Sequence, residues 1–350
     1  MTAAPVQPEN FARLRELPDL AVRTFGGAVV YANDESFAER EALTRPEPST
    51  FQPRTFGAKG QVYDGWETRR RRDKGPDRHD FALVRLGTPG VIRAVVVDTA
   101  HFTGNYPPEI SVEAASVEGY PSVDELLAAD WRPIVERSVV KGDSENPFVV
   151  MSSRRWTHVR LCIYPDGGVA RMRVHGEVVP DPSMLTALGS FDLAALQNGG
   201  RVIDSSNRFY GSADRLIAPG LARSIGEGWE TARRRDTEND WVLVRLAVPG
   251  VVSAIDLDAS WFIGNAPGWA AVSAYNESAG VEPQWFSLLD RTRLQPDTTH
   301  RYPVANGQAA THARLDIYPD GGMARLRLWG KPTEEGLDAL GKRWAETGSP

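Results

Sequence analysis

One nine-residue stretch occurs twice, and it sets the terms for any fold this chain can adopt. The first copy is Gly65-Trp66-Glu67-Thr68-Arg69-Arg70-Arg71-Arg72-Asp73, the second Gly228-Trp229-Glu230-Thr231-Ala232-Arg233-Arg234-Arg235-Asp236, and only Arg69 against Ala232 differs. Other segments return in the same order: 26–32 as 199–205, 80–86 and 91–98 as 240–246 and 251–258, and 157–176 as 311–330. The turn Ile163-Tyr164-Pro165-Asp166-Gly167-Gly168 is repeated without change at 317–322. This period far exceeds that of a solenoid unit, so each copy is a whole domain. At 350 residues the chain is long enough for two domains, each burying its own core.

The runs inside each copy are short, β-branched and punctuated by Gly and Pro, without alternating helices. That pattern predicts an all-β sandwich. In the first copy an entry strand is expected over 26–33, a short helix over 34–43 and an irregular segment over 46–56. Segments 80–86 and 91–98 read as an antiparallel strand pair around Pro89-Gly90. A strand at 109–115, a helical insertion at 122–130, a strand at 157–163 and a half-exposed strand at 169–176, with alternation through Ala170-Arg171-Met172-Arg173-Val174, complete the copy. The order of these parts is similar to the discoidin or galactose-binding type of jelly roll. The predicted architecture is therefore a tandem duplication of that sandwich with short helical additions. Its parts are a weakly ordered lead over 1–20, repeat 1 over 21–178, a linker over 179–195, repeat 2 over 196–332 and a C-terminal helix over 333–350.

Charge and cysteine usage exclude several classes. A net charge of −6 argues against general binding to nucleic acid or an anionic membrane. Cys162 is the only cysteine, so no intramolecular disulfide can form, and its apolar neighbours place it in a core. No apolar run approaches the roughly 18 residues a membrane span needs, and the N-terminal segment lacks the basic and apolar regions of a signal peptide. A soluble, cytoplasmic protein is expected. No His-x-x-x-His or Cys-x-x-Cys spacing, phosphate-binding glycine loop or Gly-x-Ser-x-Gly turn is present. Nothing in the sequence calls for a cofactor or names a metal ligand, and dependence on a divalent metal is left open.

The repeated stretch has two readings: a loop kept because the domain was duplicated, or a pocket for a small planar anion. Arginine offers a fixed fork of donors that matches a carboxylate or a urea oxygen. In an extended segment alternate side chains face opposite ways, so Arg70 and Arg72 would share one face and Arg69 and Arg71 the other. Glu67 and Glu230 sit among positive charges, which would hold them ionised, either as bases or as braces for the loop. Asp98 closes a strand and His101 follows it, a possible acid–base pair. The copies differ here: Asp258 is kept, but Trp261 stands for His101 and Ile263 for Thr103. Asn105 and Asn265 follow glycine, where they cap a turn or bind a ligand. His158 and His312, paired across the copies, read as core histidines.

The combination of Asp64-Gly-Trp-Glu-Thr-Arg-Arg70, His79-Asp80-Phe81, Val97-Asp-Thr-Ala-His-Phe-Thr-Gly-Asn-Tyr-Pro107 and Tyr164-Pro-Asp-Gly-Gly168 resembles the allantoicase family. The resemblance runs from about Gly26 to Gly330 and includes the duplication. It implies conversion of allantoate and water to ureidoglycolate and urea in purine breakdown, by a homo-oligomer. Many members carry His-Phe-x-Gly-Asn in both copies, whereas Trp261 breaks that pattern here. The residues expected to do chemistry are Glu67, Asp98 and His101, with Glu67 or Asp98 as base and His101 as acid. The expected substrate contacts are Trp66, Thr68, Arg70, Arg72 and Asn105, and Glu230, Arg233 and Arg235 in the second copy. The alternatives are a non-catalytic jelly-roll binding protein and a hydrolase of a related ureido acid such as ureidoglycolate.

Overall fold

The structure, a computed structural model, describes residues 8–73, 75–277 and 282–348. It forms two compact units, one running to Val179 and taking in the chain end from Thr347, the other spanning Pro180–Glu346. Each is an antiparallel β-sandwich. In the first, strands run in the order Ala28–Ala32, Asp80–Asp98, Arg155–Tyr164, Glu109–Ala115, Arg132–Val139, while Arg171–Val178 and Glu145–Val149 pair with the far half of Asp80–Asp98. The second repeats this with Arg201–Ser205, Asp240–Asp258, Ala309–Tyr318, Trp269–Tyr275 and Phe286–Arg293, and with Arg325–Pro332 and Thr299–Pro303 on the far half. This is the duplicated all-β jelly roll that the sequence pattern predicts.

The predicted strand pair around Pro89-Gly90 is in fact one continuous strand, Asp80–Asp98. Its first half pairs with Arg155–Tyr164 and its second with Arg171–Val178, the register shifting between Arg85 and Gly90. Such a bend lets one strand pass from one sheet of a sandwich to the other. Pro89 is tolerated because it lies within that register shift, where no ladder bond needs its missing N–H; its carbonyl accepts from Val179 N at 3.0 Å. Gly90 is needed for closeness rather than for a turn: a Cβ there would run into the Glu177 carbonyl. Val95, Val96 and Val97 are all buried, as expected of a strand covered on both faces.

Three other local readings change. Residues 34–43 do not form a helix; only Arg40–Thr44 makes a 3-10 turn, because Ala38 is held extended by a bridge to Glu67. The Arg171–Val178 strand is not half-exposed, since Arg171 and His175 are buried with Met172 and Val174. Arg171 can be buried because its guanidinium donates to the carbonyls of Glu47, Asp64 and Ala170 and to Asp64 Oδ2, so every face of the charge is met. Residues 1–7 of the expected lead lie outside the described residues; beyond them helix Pro8–Arg15 is followed by buried Leu17 and Leu20, and Leu20 N donates to Val174 O at 2.7 Å. The insertion helix Val123–Leu127 opens with a Ser122/Glu125 capping box. Helices Pro182–Leu188 and Glu334–Glu346 flank the second sandwich. Among the described residues no helix is long and apolar enough to cross a membrane.

The copies differ most in the chain leading into Trp66–Glu67 and Trp229–Glu230. In the first it covers residues 45–65 and contains the small hairpin Phe56–Gly57 and Gly60–Gln61; in the second it covers only 218–228.

Candidate active site

The Trp-Glu pair of each repeated stretch forms a two-residue strand against the Asp-Gly-Gly turn, with Glu67 opposite Gly168 and Glu230 opposite Gly322. Trp66 points into the core. It is fully buried, and its ring N–H donates to Asp34 O at 2.8 Å; Trp229 does the same with Asn207 O. The expectation that Trp66 contacts substrate is therefore corrected: it anchors the loop. Thr68 is corrected likewise. It is buried, and its hydroxyl accepts from Gly167 N at 3.2 Å, as Thr231 accepts from Gly321 N at 3.1 Å.

Beyond Thr68 the backbone stays extended, because alternate N–H groups bond inward to side chains. Arg69 N donates to Asp34 Oδ1 at 2.9 Å and Arg71 N to Asp166 Oδ2 at 2.8 Å. In the second copy Ala232 N uses Asn207 Oδ1 at 3.2 Å and Arg234 N uses Asp320 Oδ2 at 2.6 Å. Arg69 also pairs with Asp34 through its guanidinium, and where that guanidinium is missing, at Ala232, the carboxylate is replaced by the amide of Asn207. The shared requirement is thus the backbone contact, not the Arg69 charge.

The arginines then sort by parity. Arg71 is engaged by Asp80 at 3.0 Å and Asp73 at 2.8 Å; Arg234 is engaged by Asp240, Asp236 and Glu238. Arg70 and Arg72 are exposed and, among the described residues, form no hydrogen bond or ion pair, and the same holds for Arg233 and Arg235. The first run, with Asn33, Asp34 and Asp80, lines a cavity of about 400 Å³.

Glu67 accepts from Asn105 Nδ2 at 2.8 Å, and Glu230 from Asn265 Nδ2 at 2.7 Å. Each pair ties the repeated stretch to the Gly-Asn turn, so the structure brings both asparagines to the glutamates. Burial pushes Glu67 above the ordinary glutamate range, against the pull of the Asn105 bond and the Arg70 charge. The expectation that cationic neighbours hold Glu67 below its usual value is overturned by this desolvation.

Asp98 and His101 are not joined to one another. Asp98 Oδ1 caps the following turn by accepting from Ala100 N at 2.8 Å, and burial, with the Glu145 charge, raises its pKa. The His101 backbone is left-handed, at φ 70°, and its N–H donates to Asp143 Oδ1 at 2.7 Å. His101 Nε2 lies 3.1 Å from Ser49 O, so it carries the proton and donates, and the ring stacks on Phe51. Trp261 occupies the same conformation, at φ 73°, bonds through its N–H to Asp297 Oδ1 at 2.7 Å, and donates its ring N–H to Ala222 O at 2.9 Å. A histidine and a tryptophan do one job here: a ring N–H that latches the loop preceding the Trp-Glu strand.

The remaining candidates are structural. His158 is buried with Nδ1 2.8 Å from Thr157 Oγ1, and burial lowers its pKa to about 4, so it is neutral. Burial beside Glu113 pushes the Cys162 thiol up to about 12. Among the described residues no group of three or more His, Cys, Asp or Glu gathers as a metal site.

A family model described as "Allantoicase repeat" matches residues 18–179 and again 191–333. The chain belongs to the allantoicase family. A "Probable allantoicase" of Nocardia farcinica is 56% identical over 328 residues, covering 93% of this chain and 97% of that one. The allantoicase of Dictyostelium discoideum is 37% identical over 333 residues, covering 92% and 89%. The crystal structure of allantoicase from Saccharomyces cerevisiae, 30% identical, superposes with a TM-score of 0.79 over 93% of this chain and 98% of its own. Within this allantoicase fold the residues that sequence reading passed over as fixers are Asp34, Asp80 and Asp166, their counterparts Asn207, Asp240 and Asp320, and the loop staples Arg171 and Arg325, the latter donating to the carbonyls of Gly220 and Glu227. Asp80 and Asp166 carried a signal, since each recurs in the second copy beside the arginine run or in the repeated turn.

Proposed function

We propose that the chain hydrolyses allantoate to ureidoglycolate and urea, and that each repeat carries one site. The observation that carries this reading is the repeated Glu–Asn pair followed, three and five residues along the chain, by two unpaired guanidinium groups, the nearer of which in the first copy, Arg70, acts on the Glu67 charge. Allantoate has one carbon bearing a carboxylate and two ureido groups. Arg70 and Arg72 receive the carboxylate and a ureido oxygen, as Arg233 and Arg235 do in the second repeat. Because Asn105 holds Oε1 of Glu67 as an acceptor, the proton of the acid form sits on Oε2. Glu67 delivers it to the nitrogen of the departing ureido group. The lone pair of the remaining ureido nitrogen forms a C=N bond as the C–N bond to urea breaks. Water then adds to the same carbon and returns its proton to Glu67, which restores the acid. Glu230, held by Asn265, acts in the same way. A group poised as acid and then base is best served by a pKa nearer neutrality than an exposed glutamate has, and burial moves Glu67 in that direction. His101 and Asp98 serve the loop rather than the proton transfers.

The setting follows from the same reading: a cytoplasmic homo-oligomer without nucleic-acid or membrane partners. The test is urea release by purified protein from allantoate, with ureidoglycolate run beside it. Failure to release urea from allantoate, or faster release from ureidoglycolate, refutes the substrate assignment.

A further inference from the structure

Nothing above explains why a third arginine stands between the two that are free. Arg71 and Arg234 are the most heavily engaged guanidinium groups of the two runs, and the deepest of their partners is the same in each copy. Asp80 is 2% exposed and Asp240 fully buried. Asp80 Oδ1 accepts from Arg71 Nε at 3.0 Å and from Asn33 Nδ2 at 2.9 Å; Asp240 Oδ1 accepts from Arg234 Nη1 and from Ser206 Oγ, both at 2.8 Å. Asn33 and Ser206 in turn accept from the backbone N–H of Phe81 and Trp241, so Asn and Ser are interchangeable supports for one carboxylate. In both copies the second oxygen, Oδ2, is buried and meets no protein donor among the described residues. A buried carboxylate met by protein at only one oxygen is costly, and both copies keep it. The cost is coherent if the charge itself is what the position supplies: a counter-charge beneath the run that holds the middle arginine down.

We infer that Asp80 and Asp240 are positioning residues for the substrate anion, acting through Arg71 and Arg234. Each neutralises the middle guanidinium and ties it down, in the first copy within the wall of the cavity that the run lines. The anion then meets a pair of forks spaced two residues apart instead of three competing ones. The inference rests on the allantoate reading for its substrate, but its physical content is that Arg71 is unavailable to anions while Asp80 is charged.

The experiment uses the full chain with both repeats altered alike. In Asp80→Asn/Asp240→Asn the side-chain shape and the Oδ1 acceptor survive but the charge is lost. Releasing one partner of a buried charge pair is expected to raise KM for allantoate by about tenfold while kcat stays within about threefold, since Glu67 and Glu230 are untouched. Inorganic phosphate, measured by calorimetry, should bind several-fold more tightly as Arg71 becomes available. Adding Arg71→Gln/Arg234→Gln removes the freed charge, and both readouts should return toward those of the unaltered enzyme, a coupling that independent structural damage does not give. The inference is overturned if the aspartate variant leaves KM within twofold, or loses kcat with KM unmoved. It is also overturned if the four-fold variant binds allantoate no better than the two-fold one, which would make Arg71 itself a substrate ligand. Should the aspartate variant not fold, the charge-neutral four-fold variant decides alone: KM within about threefold supports the inference, and any larger rise sinks it. If the unaltered chain releases no urea from allantoate, the substrate reading has failed; the phosphate measurements then judge the positioning role by themselves.

Discussion

Replacing Glu67 by Gln tests the proposed chemistry with little disturbance of the fold. The amide oxygen of Gln can still accept from Asn105 Nδ2, now 2.8 Å from Glu67 Oε1, so the loop contact survives. What disappears is the proton on the other oxygen. Loss of a positioned acid–base group costs about 10²- to 10⁴-fold, or about 2.7–5.5 kcal/mol of barrier, at the site that loses it. The second repeat holds an independent Glu230–Asn265 pair at 2.7 Å, so the whole enzyme should not fall that far. With two equal sites, Glu67→Gln alone should keep about half of kcat, as should Glu230→Gln, and the double variant should show the full loss, near the floor of the same range. KM should stay within about threefold throughout, because Arg70, Arg72, Arg233 and Arg235 remain. The assay is urea release at saturating allantoate for all four proteins. If either single substitution abolishes turnover, the two sites are not independent. If the double variant keeps more than a tenth of the activity, neither glutamate is the acid.

Other consequences follow from the same geometry. In a Glu230→Gln background, where only the first repeat turns over, His101→Trp installs the residue that the second repeat already carries at that conformation, so kcat/KM should stay within about threefold of that background; a further loss of 10²-fold or more would return the role of acid to His101. Thr68→Val leaves Gly167 N without its buried hydroxyl acceptor and should cost about 1–3 kcal/mol, seen as a lower midpoint in chemical denaturation; an unchanged midpoint would mean that the turn is held otherwise. Glu67→Gln should also stabilise the protein at alkaline pH. The folded-state pKa of Glu67 is raised, so its ionised form opposes folding above that pKa, and the penalty fades as pH falls through it and vanishes once both states are protonated. The gain in melting temperature should therefore shrink on going from pH 8 to pH 4, and a gain that grows on acidification would contradict the desolvated glutamate.

Some of this protein was settled by local chemistry and can be read along the chain. All-β architecture and the helical insertion over 122–130 follow from patterns within a few residues of one another, and the duplication from matching those patterns along the chain. So does the two-residue alternation that sets Arg70 and Arg72 apart from Arg69 and Arg71. Tertiary structure decided the rest, because the deciding partners are distant: Thr68 meets Gly167 across 99 residues and Arg71 N meets Asp166 across 95. Sequence marks Trp66 as rare and repeated, but only packing shows that it faces inward. Sequence counts the positive charges around Glu67, yet its ionisation is governed by how much water the fold removes, and desolvation outweighs the neighbours. Along the chain, Trp261 in place of His101 breaks the His-Phe-x-Gly-Asn pattern in one copy. In three dimensions both rings offer one N–H to one loop carbonyl, and a hydrogen bond does not record which residue type supplies it.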